Sequence, residues 1–269
     1  MTIKLSDIIT INNQADFKIH IARWNRVEHP LDVFARSREQ WKGWQEYRPA
    51  RDEFNRPYIF SVMHYYTEPD TWIFGGIWKV VDRLPDRYVV DLDPKAEQFI
   101  GRLKLRLDYR SRATRIYMEN YYDKFEVLEI FPAPFSGRHF EGFDKIDLGF
   151  SELETIVRNS RPDWQSALGH MKGIYLITDI STGKRYVGSA YGDQGIWSRW
   201  CSYIECGHGG NVELRKLVTS SDLDYCRKNF RFALLEAIPA KEADETVIAR
   251  ENFWKSILTT RGEYGLNRN

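Results

Sequence analysis

Residues 173–188 read GIYLITDISTGKRYVG, and this stretch decides the fold of the C-terminal part of the chain. Gly173–Asp179 is rich in aromatic and β-branched residues, which predicts a strand. The Thr-Gly pair that follows predicts a turn, and Arg185–Gly188 predicts a second strand. The two strands would form a hairpin, which places Tyr175 and Tyr186 on adjacent strands.

Helical and strand patterns alternate after the hairpin. The periodicity predicts helices around Ile196–Tyr203 and Asn211–Val218, a third strand at Phe230–Ile238, and a long helix at Ala243–Leu258. We therefore expect residues 166–269 to form a small α/β unit with a three-stranded sheet.

A polar segment around residues 159–171 predicts a domain break. Pro162 suits a helix start and Gly169 a helix end. The composition also changes here, since strand-like runs dominate before the segment. We divide the chain at this point into residues 1–165 and 166–269.

The first of these parts is predicted to be mainly β. An amphipathic helix at Pro30–Tyr47 precedes the strand-like runs, and another at Glu152–Val157 follows them. We expect a barrel-like or curled sheet with flanking helices, which makes the fold class of the whole chain α+β. The predicted strands, rich in Val, Ile and aromatic residues, are Tyr58–Tyr66, Trp72–Asp82, Arg87–Leu92, Phe99–Tyr109 and Phe125–Phe131.

Composition limits the classes of function. The 269 residues include 39 Lys and Arg against 38 Asp and Glu, a net charge of +1, which excludes a uniformly basic nucleic-acid coat. No stretch approaches the roughly 18 apolar residues of a membrane helix, and the polar N-terminal stretch predicts no export signal. The 3 cysteines form no CxxC pair and indicate reduced thiols. We expect a cytoplasmic protein without a membrane partner.

Five polar residues follow one another in a defined order across the C-terminal part. Tyr175 and Tyr186 lie on the hairpin, Arg199 on the first helix, Glu251 in the middle of the long helix, and Asn267 near residue 269. This order and spacing resemble the GIY-YIG nuclease domain of homing endonucleases, repair nucleases and some restriction enzymes. The resemblance covers just over a third of the chain. It implies a DNA endonuclease that hydrolyses phosphodiester bonds.

The resemblance also implies roles for these residues. Phosphodiester hydrolysis needs an activated water, neutralisation of phosphate charge, and help for the leaving group. Glu251 would hold Mg²⁺ (or Mn²⁺), an ion that takes one or two carboxylates and keeps several waters. Arg199 is a forked cation suited to a phosphate oxygen. Family precedent favours Tyr175 over Tyr186 as the base, with its pKa lowered by Arg199 and the metal, and Asn267 would brace the site.

Two positions depart from the family pattern. Ser189 stands where many members have a basic residue, and Tyr203 stands one turn after Arg199, where several have histidine. His208 could supply an imidazole from a neighbouring glycine-rich loop, and the alternative is an ordinary surface histidine. We include Tyr203 and His208 among the candidate catalytic residues.

A basic stretch in the N-terminal part is a candidate DNA contact. Residues 102–107 read RLKLRL, and on a strand the three cations would project from one face. Through Lys124 the stretch has seven basic and three acidic residues, a local charge of +4, with tyrosines between them. Cations can neutralise phosphates while aromatic rings stack on bases, and the alternative is an ordinary exposed sheet face. The candidate contacts are Arg102, Lys104, Arg106, Arg110, Arg112 and Arg115.

Tryptophan is concentrated in the same part, since five of the nine Trp lie within residues 24–78. Trp72 and Trp78 flank a glycine pair, where backbone can approach a ligand closely. The part faintly resembles PUA-type modules, some of which read modified bases. We therefore expect Trp72 and Trp78 to contact DNA in a pocket for a flipped base, and the alternative is core packing.

The hypothesis that joins these features is a Mg²⁺-dependent restriction endonuclease of bacterial or phage defence. Its N-terminal domain would select the target in double-stranded DNA. In one version of this hypothesis, the target DNA is modified. The alternatives are a repair or homing-type nuclease with the same chemistry, and a non-catalytic DNA-binding protein with a degenerate nuclease fold. Homing enzymes usually place the catalytic domain first, so the opposite order favours restriction. One active site per chain suggests a homodimer on DNA, or two encounters.

Overall fold

The computed structural model describes residues 2–192, 195–218 and 223–268. The chain forms two compact units, Met1–Phe135 and Ser136–Asn269, called here the N-terminal and C-terminal units. The division falls before the break that the sequence predicts at residue 165, because the intervening segment folds with the C-terminal unit. Both units combine helices with a mainly antiparallel sheet, which confirms the predicted α+β class. None of the described helices is long and apolar enough to span a membrane.

A curled sheet, half of a barrel, forms the N-terminal unit. Its strands are β1 (Phe17–Ala22), β2 (Tyr58–His64), β3 (Thr71–Arg83), β4 (Tyr88–Asp93), β5 (Leu103–Arg106), β6 (Arg115–Tyr117) and β7 (Glu126–Ile130). The strand order is β6-β1-β2-β3-β5-β7, with β4 also paired to β3. β1 and β2 are parallel, and the other neighbours are antiparallel.

The glycine pair in β3 serves packing. The pairing of β3 with β2 skips Gly75, which forms a bulge. A β-carbon at Gly75 would lie 2.6 Å from the ring of Trp41, so glycine allows that ring to approach the strand. Trp41 Nε1 donates a hydrogen bond of 2.8 Å to the carbonyl of Gly75. The close backbone approach that the sequence indicated is therefore an approach to a core tryptophan.

The helices of this unit are α1 (Leu5–Ile8), α2 (Pro30–Arg36) and α3 (Arg38–Glu46). The single helix predicted over Pro30–Tyr47 is wrong, because Ser37 is extended between α2 and α3. Ser37 Oγ accepts a hydrogen bond of 3.2 Å from the backbone N–H of Gln40. Ser37 is thus the N-cap of α3, a position that serine favours.

The structure places Trp72 and Trp78 in the core, which corrects their prediction as DNA contacts. Their side chains are 2% and 6% exposed. Trp72 Nε1 donates to the carbonyl of Leu107 at 3.1 Å, and Trp78 Nε1 donates to Ser61 Oγ at 3.1 Å. A base cannot stack on rings whose faces are already packed, so these two residues form no base pocket.

We expect Trp72→Ala to lower the free energy of unfolding by about 3–5 kcal/mol, because it leaves a large cavity in the core. Trp24→Ala is the matched control, since Trp24 is 55% exposed and truncation there creates no core cavity. Urea denaturation of both variants measures the difference. Equal stability of the two variants would contradict the core assignment.

The basic stretch does not form one free cationic face. β5 lies between β3 and β7, and Lys104 on it is buried, with its Nζ 2.6 Å from Glu68 Oε1. Arg102 Nε donates to the carbonyl of Phe131 at 2.7 Å, and Arg115 pairs with Glu53 at 3.0 Å. The predicted alternation of side chains holds, but neighbouring elements supply carboxylates and carbonyls that neutralise or bind these cations. The basic side chains of the stretch that remain exposed include Arg106, Arg110 and Arg112.

The C-terminal unit contains a four-stranded antiparallel sheet. Its strands are β8 (Asp147–Gly149), β9 (Met171–Asp179), β10 (Arg185–Ala190) and β11 (Phe230–Pro239), in the order β10-β9-β11-β8. β9 and β10 form the predicted hairpin, with Tyr175 opposite Gly188. β8 is a fourth strand that the sequence did not predict, because three residues carry too little pattern.

Helices cover both faces of this sheet. They are α4 (Phe150–Arg158), α5 (Pro162–Gly169), α6 (Gly195–Cys206), α7 (Val212–Leu217), α8 (Asp224–Asn229) and α9 (Asp244–Ile257). Ile196 and Trp200 of α6 belong to the core cluster that includes Tyr175. Val247 of α9 packs in a separate cluster with Val187 of β10. α6 and α9 therefore lie on opposite faces and flank the edge strand β10.

Candidate active site

Edge strand β10 carries the centre of the candidate site. Tyr186 belongs to the core cluster on the α6 side, whereas Ser189 contacts α9, because alternate residues of a strand face opposite ways. α6 brings Arg199 to this edge, and α9 brings Glu251. A cavity of about 950 Å³ is lined by all four side chains.

Both carboxylate oxygens of Glu251 have partners. Ser189 Oγ donates to Oε2 at 2.6 Å, and Lys255 Nζ lies 2.9 Å from Oε1. Lys255 follows Glu251 by one helical turn on α9, and its side chain is buried and lines the same cavity. The carboxylate therefore has a defined direction before any ligand binds.

Three hydrogen bonds hold the guanidinium of Arg199. Nε donates to Tyr175 Oη at 3.0 Å, Nη2 to Tyr203 Oη at 3.2 Å, and Nη1 to the carbonyl of Gly209 at 2.8 Å. Burial acts to lower the pKa of Arg199, but the phenols of Tyr175 and Tyr203 raise that pKa above its usual value. Arg199 is thus a fixed, fully charged cation on the cavity wall.

Tyr175 and Tyr203 lie behind Arg199. Both side chains are buried, and their Oη atoms are 3.0 Å apart. Burial raises the pKa of both phenols above the usual value, and Arg199 only partly offsets this. Arg199 alone therefore does not give Tyr175 the lowered pKa expected from the sequence. The phenols among the described residues that line the cavity are those of Tyr186 and Tyr191, and Tyr175 is not one of these residues.

The last glycine of the hairpin and Asn267 shape the site without lining the cavity. A β-carbon at Gly188 would lie 2.5 Å from the ring of Tyr175, so glycine is required opposite this tyrosine. Asn267 is buried, accepts a hydrogen bond of 2.9 Å from the N–H of Val187, and donates one of 2.8 Å to its carbonyl. Asn267 thereby satisfies two backbone hydrogen-bonding groups at the edge of β10 and braces the strand at this point.

His208 lies in the loop after α6. Its Nδ1 accepts a hydrogen bond of 3.0 Å from the N–H of Gly210 and lies 3.7 Å from Cys206 Sγ. Burial, and then the charge of Arg215, lower the pKa of His208. The described residues that line the cavity do not include His208. The structure therefore favours a loop-stabilising role over the imidazole supply considered from the sequence.

The donor set fits Mg²⁺. Glu251 faces a cavity of about 950 Å³, which leaves room for the waters that Mg²⁺ retains around one or two carboxylates. In residues 2–192, 195–218 and 223–268, no group of three or more His, Cys, Asp or Glu side chains could hold a metal ion. A magnesium ion at this place would be held by Glu251 and water.

Two members of the site were not identified from the sequence. Ser189 departs from the family pattern, yet it donates to Glu251. Lys255 lies outside the motif that the sequence presents. Its spacing of four residues from Glu251 on a helix was the available signal, because residues i and i+4 are neighbours.

Comparisons with known proteins find a likeness among solved structures. No protein-family model and no curated protein matches the chain. Among solved structures, the chain is similar to the catalytic domain of the homing endonuclease I-TevI, at 30% sequence identity. The similarity covers 36% of this chain and 98% of that structure, with a TM-score of 0.29.

Proposed function

We propose that the chain is a metal-dependent DNA endonuclease that hydrolyses phosphodiester bonds at the β10 edge. The observation that carries the proposal is the joint presence of Tyr186, Arg199 and Glu251 on one cavity wall. They come from a strand and two helices on opposite faces of the sheet. A fixed cation can stabilise charge on a scissile phosphate, a carboxylate can hold a metal ion, and a phenol can take part in proton transfer.

Each residue has a separate role in the proposed reaction. Arg199 donates to a non-bridging phosphate oxygen, and its hydrogen bonds to Tyr175, Tyr203 and Gly209 orient it in advance. Tyr186 orients the attacking water and, as the phenolate, accepts its proton to become the neutral phenol. Glu251 holds the metal, with its direction set by Ser189. When bound, the metal neutralises phosphate charge and makes water a stronger acid.

Plasmid nicking tests the proposal directly. We expect the full chain to convert supercoiled DNA to open or linear forms with Mg²⁺ or Mn²⁺, and to stop in EDTA. Binding without nicking in either metal would favour the alternative, a DNA-binding protein with an inactive nuclease fold. Equal nicking in EDTA would contradict the metal role of Glu251.

The N-terminal unit is proposed to select the target. Arg106, Arg110 and Arg112 are exposed, which supports contact with phosphates. Arg106 pairs with Glu126, and Arg110 pairs with Asp70 and Asp108, so a phosphate would have to compete with these carboxylates. Restriction in bacterial or phage defence would require this unit to discriminate between DNA sequences or modifications. Digestion of matched modified and unmodified DNA panels measures that discrimination. Indifference to both sequence and modification would instead favour a repair-type nuclease.

The two tyrosines of the hairpin should behave differently when their hydroxyls are removed. Tyr186→Phe should slow cleavage about 10²-fold, because it removes the hydroxyl to which we assign the proton transfer. Tyr175→Phe should slow cleavage because it removes a hydrogen bond that orients Arg199. The same substitution should therefore slow cleavage in the wild-type protein but have no further effect in the Arg199→Ala variant. Single-turnover rates of the single and double variants, with thermal melting, measure this. A Tyr175→Phe effect that persists without Arg199 would give Tyr175 an independent catalytic role.

A further inference from the structure

The N-terminal unit contains a cavity that the proposed cleavage site does not use. Its volume is about 480 Å³, within the range of small-ligand sites. β1 and the segment after it form one side, and α3 and β6 complete the wall. The residues that matter here are His20, Trp24, Gly43, Trp44, Tyr47 and Arg115.

Aromatic side chains with solvent-exposed surface line the cavity. Trp24 is 55% and Tyr47 64% exposed. Trp44 is half-buried and packs against the core cluster that includes Trp41. Trp41, by contrast, is 1% exposed. Large rings left open beside a concave surface provide flat faces for stacking a planar ligand.

His20 supplies a buried hydrogen-bond acceptor at the cavity. Its side chain is 4% exposed, and Nδ1 lies 2.7 Å from Gln45 Oε1. Gln45 Nε2 donates to the carbonyl of Trp41, so Oε1 accepts and His20 Nδ1 carries the proton. Burial, and then Arg115, lower the pKa of His20 to about 4. Nε2 is therefore a neutral acceptor, and it bonds to none of the described residues.

Positive charge lies beside the same cavity. Arg115 pairs with Glu53 at 3.0 Å, yet its buried Nε donates to no described residue. Arg23 also lines the cavity and is held by the carbonyls of Tyr109 and Ser111 at 2.7 and 3.0 Å. Glu53 neutralises Arg115, whereas Arg23 is held by neutral carbonyls and keeps its charge. A cation beside an aromatic cavity suits a ligand that carries a phosphate next to a planar ring.

We propose that this cavity binds a nucleobase rotated out of a DNA duplex, so that the N-terminal unit selects its target by reading one extruded base. The proposal rests on the proposed function, which makes DNA the substrate. Trp24, Trp44 and Tyr47 stack on the base, and His20 Nε2 accepts a hydrogen bond from an N–H on its edge. A duplex base reaches such a pocket only by leaving the stack.

Gly43 allows a sharp test. A β-carbon at Gly43 meets no atom within 4 Å, so Gly43→Leu should fill the cavity without strain. Gly43→Ala is the matched control, because it changes the helix in the same way and leaves the cavity open. The probes are DNA duplexes with A, C, G or T opposite an abasic site, where extrusion costs less, and one fully matched duplex. Binding is measured in EDTA with the full chain carrying Glu251→Gln.

We expect at least about tenfold tighter binding of one base over the others, because a base that presents no N–H to His20 Nε2 leaves this buried acceptor unpaired. Gly43→Leu and Trp24→Ala should abolish this preference, and Gly43→Ala should retain it. Equal binding of all duplexes would overturn the proposal, as would a Gly43→Leu effect of the same size on every duplex. Plasmid nicking by the wild type with Mg²⁺ is scored separately. Nicking without base preference would overturn only the proposed base pocket. Base preference without nicking would overturn only the proposed nuclease activity.

Discussion

Glu251→Gln is expected to reduce DNA cleavage to below about 1% of the wild-type rate, in line with the 10²–10³-fold losses seen when an electrostatic stabiliser is removed. The amide keeps the shape of the side chain and an oxygen that can accept from Lys255. It removes the negative charge on which a metal ion would be held. Cleavage is measured on supercoiled plasmid across a range of Mg²⁺ concentrations.

Stability must be measured alongside, because Lys255 is buried and lies 2.9 Å from Glu251. Glu245→Gln is the matched control, since Glu245 lies on the same helix and is exposed. We expect the Glu245 variant to cleave normally and both variants to bind DNA in EDTA. A Glu251→Gln protein that is folded and retains more than about a tenth of the wild-type rate would contradict the metal role.

The fold of the C-terminal unit could be predicted because its signals are local. The strand, turn and strand of the hairpin occupy consecutive residues, and Tyr175 and Tyr186 lie where that pattern places them. Arg199 and Glu251 were identified by order along the chain, and α6 and α9 bring them to one edge. Strand β8 and the burial of Tyr175 depend on long-range packing, and no local pattern carries that information.

Side-chain environment was harder to predict in the N-terminal unit. The alternation of RLKLRL is correct for a strand, but the pairing of Lys104 with Glu68 joins residues far apart in sequence. The tryptophans of the cluster have two different environments. Trp72 and Trp78 are core residues, whereas Trp24 and Trp44 line a cavity. Residue type alone cannot distinguish them, because a large ring suits both a core and a stacking surface.

Arg199→Ala is expected to slow cleavage about 10²–10³-fold, because it removes a cation that stabilises charge on the phosphate. Arg199→Lys should rescue only part of this loss, since an ammonium cannot form the fork that bonds to Tyr175 and Tyr203 and leaves N–H groups for phosphate. The measurement is kcat and KM for the three proteins under multiple turnover, with thermal melting of each.

The partition between kcat and KM identifies how the cation acts. The guanidinium is already held by Tyr175, Tyr203 and Gly209, so little reorganisation is needed when charge develops on the phosphate. We therefore expect the loss in Arg199→Ala to fall mainly on kcat, as for an interaction that is strongest in the transition state. Arg231→Ala is the control, because Arg231 forms an exposed ion pair with Asp147 on β8, at the opposite edge of the sheet from β10. Loss of activity in both variants, or a change in KM alone, would place Arg199 outside the reacting groups.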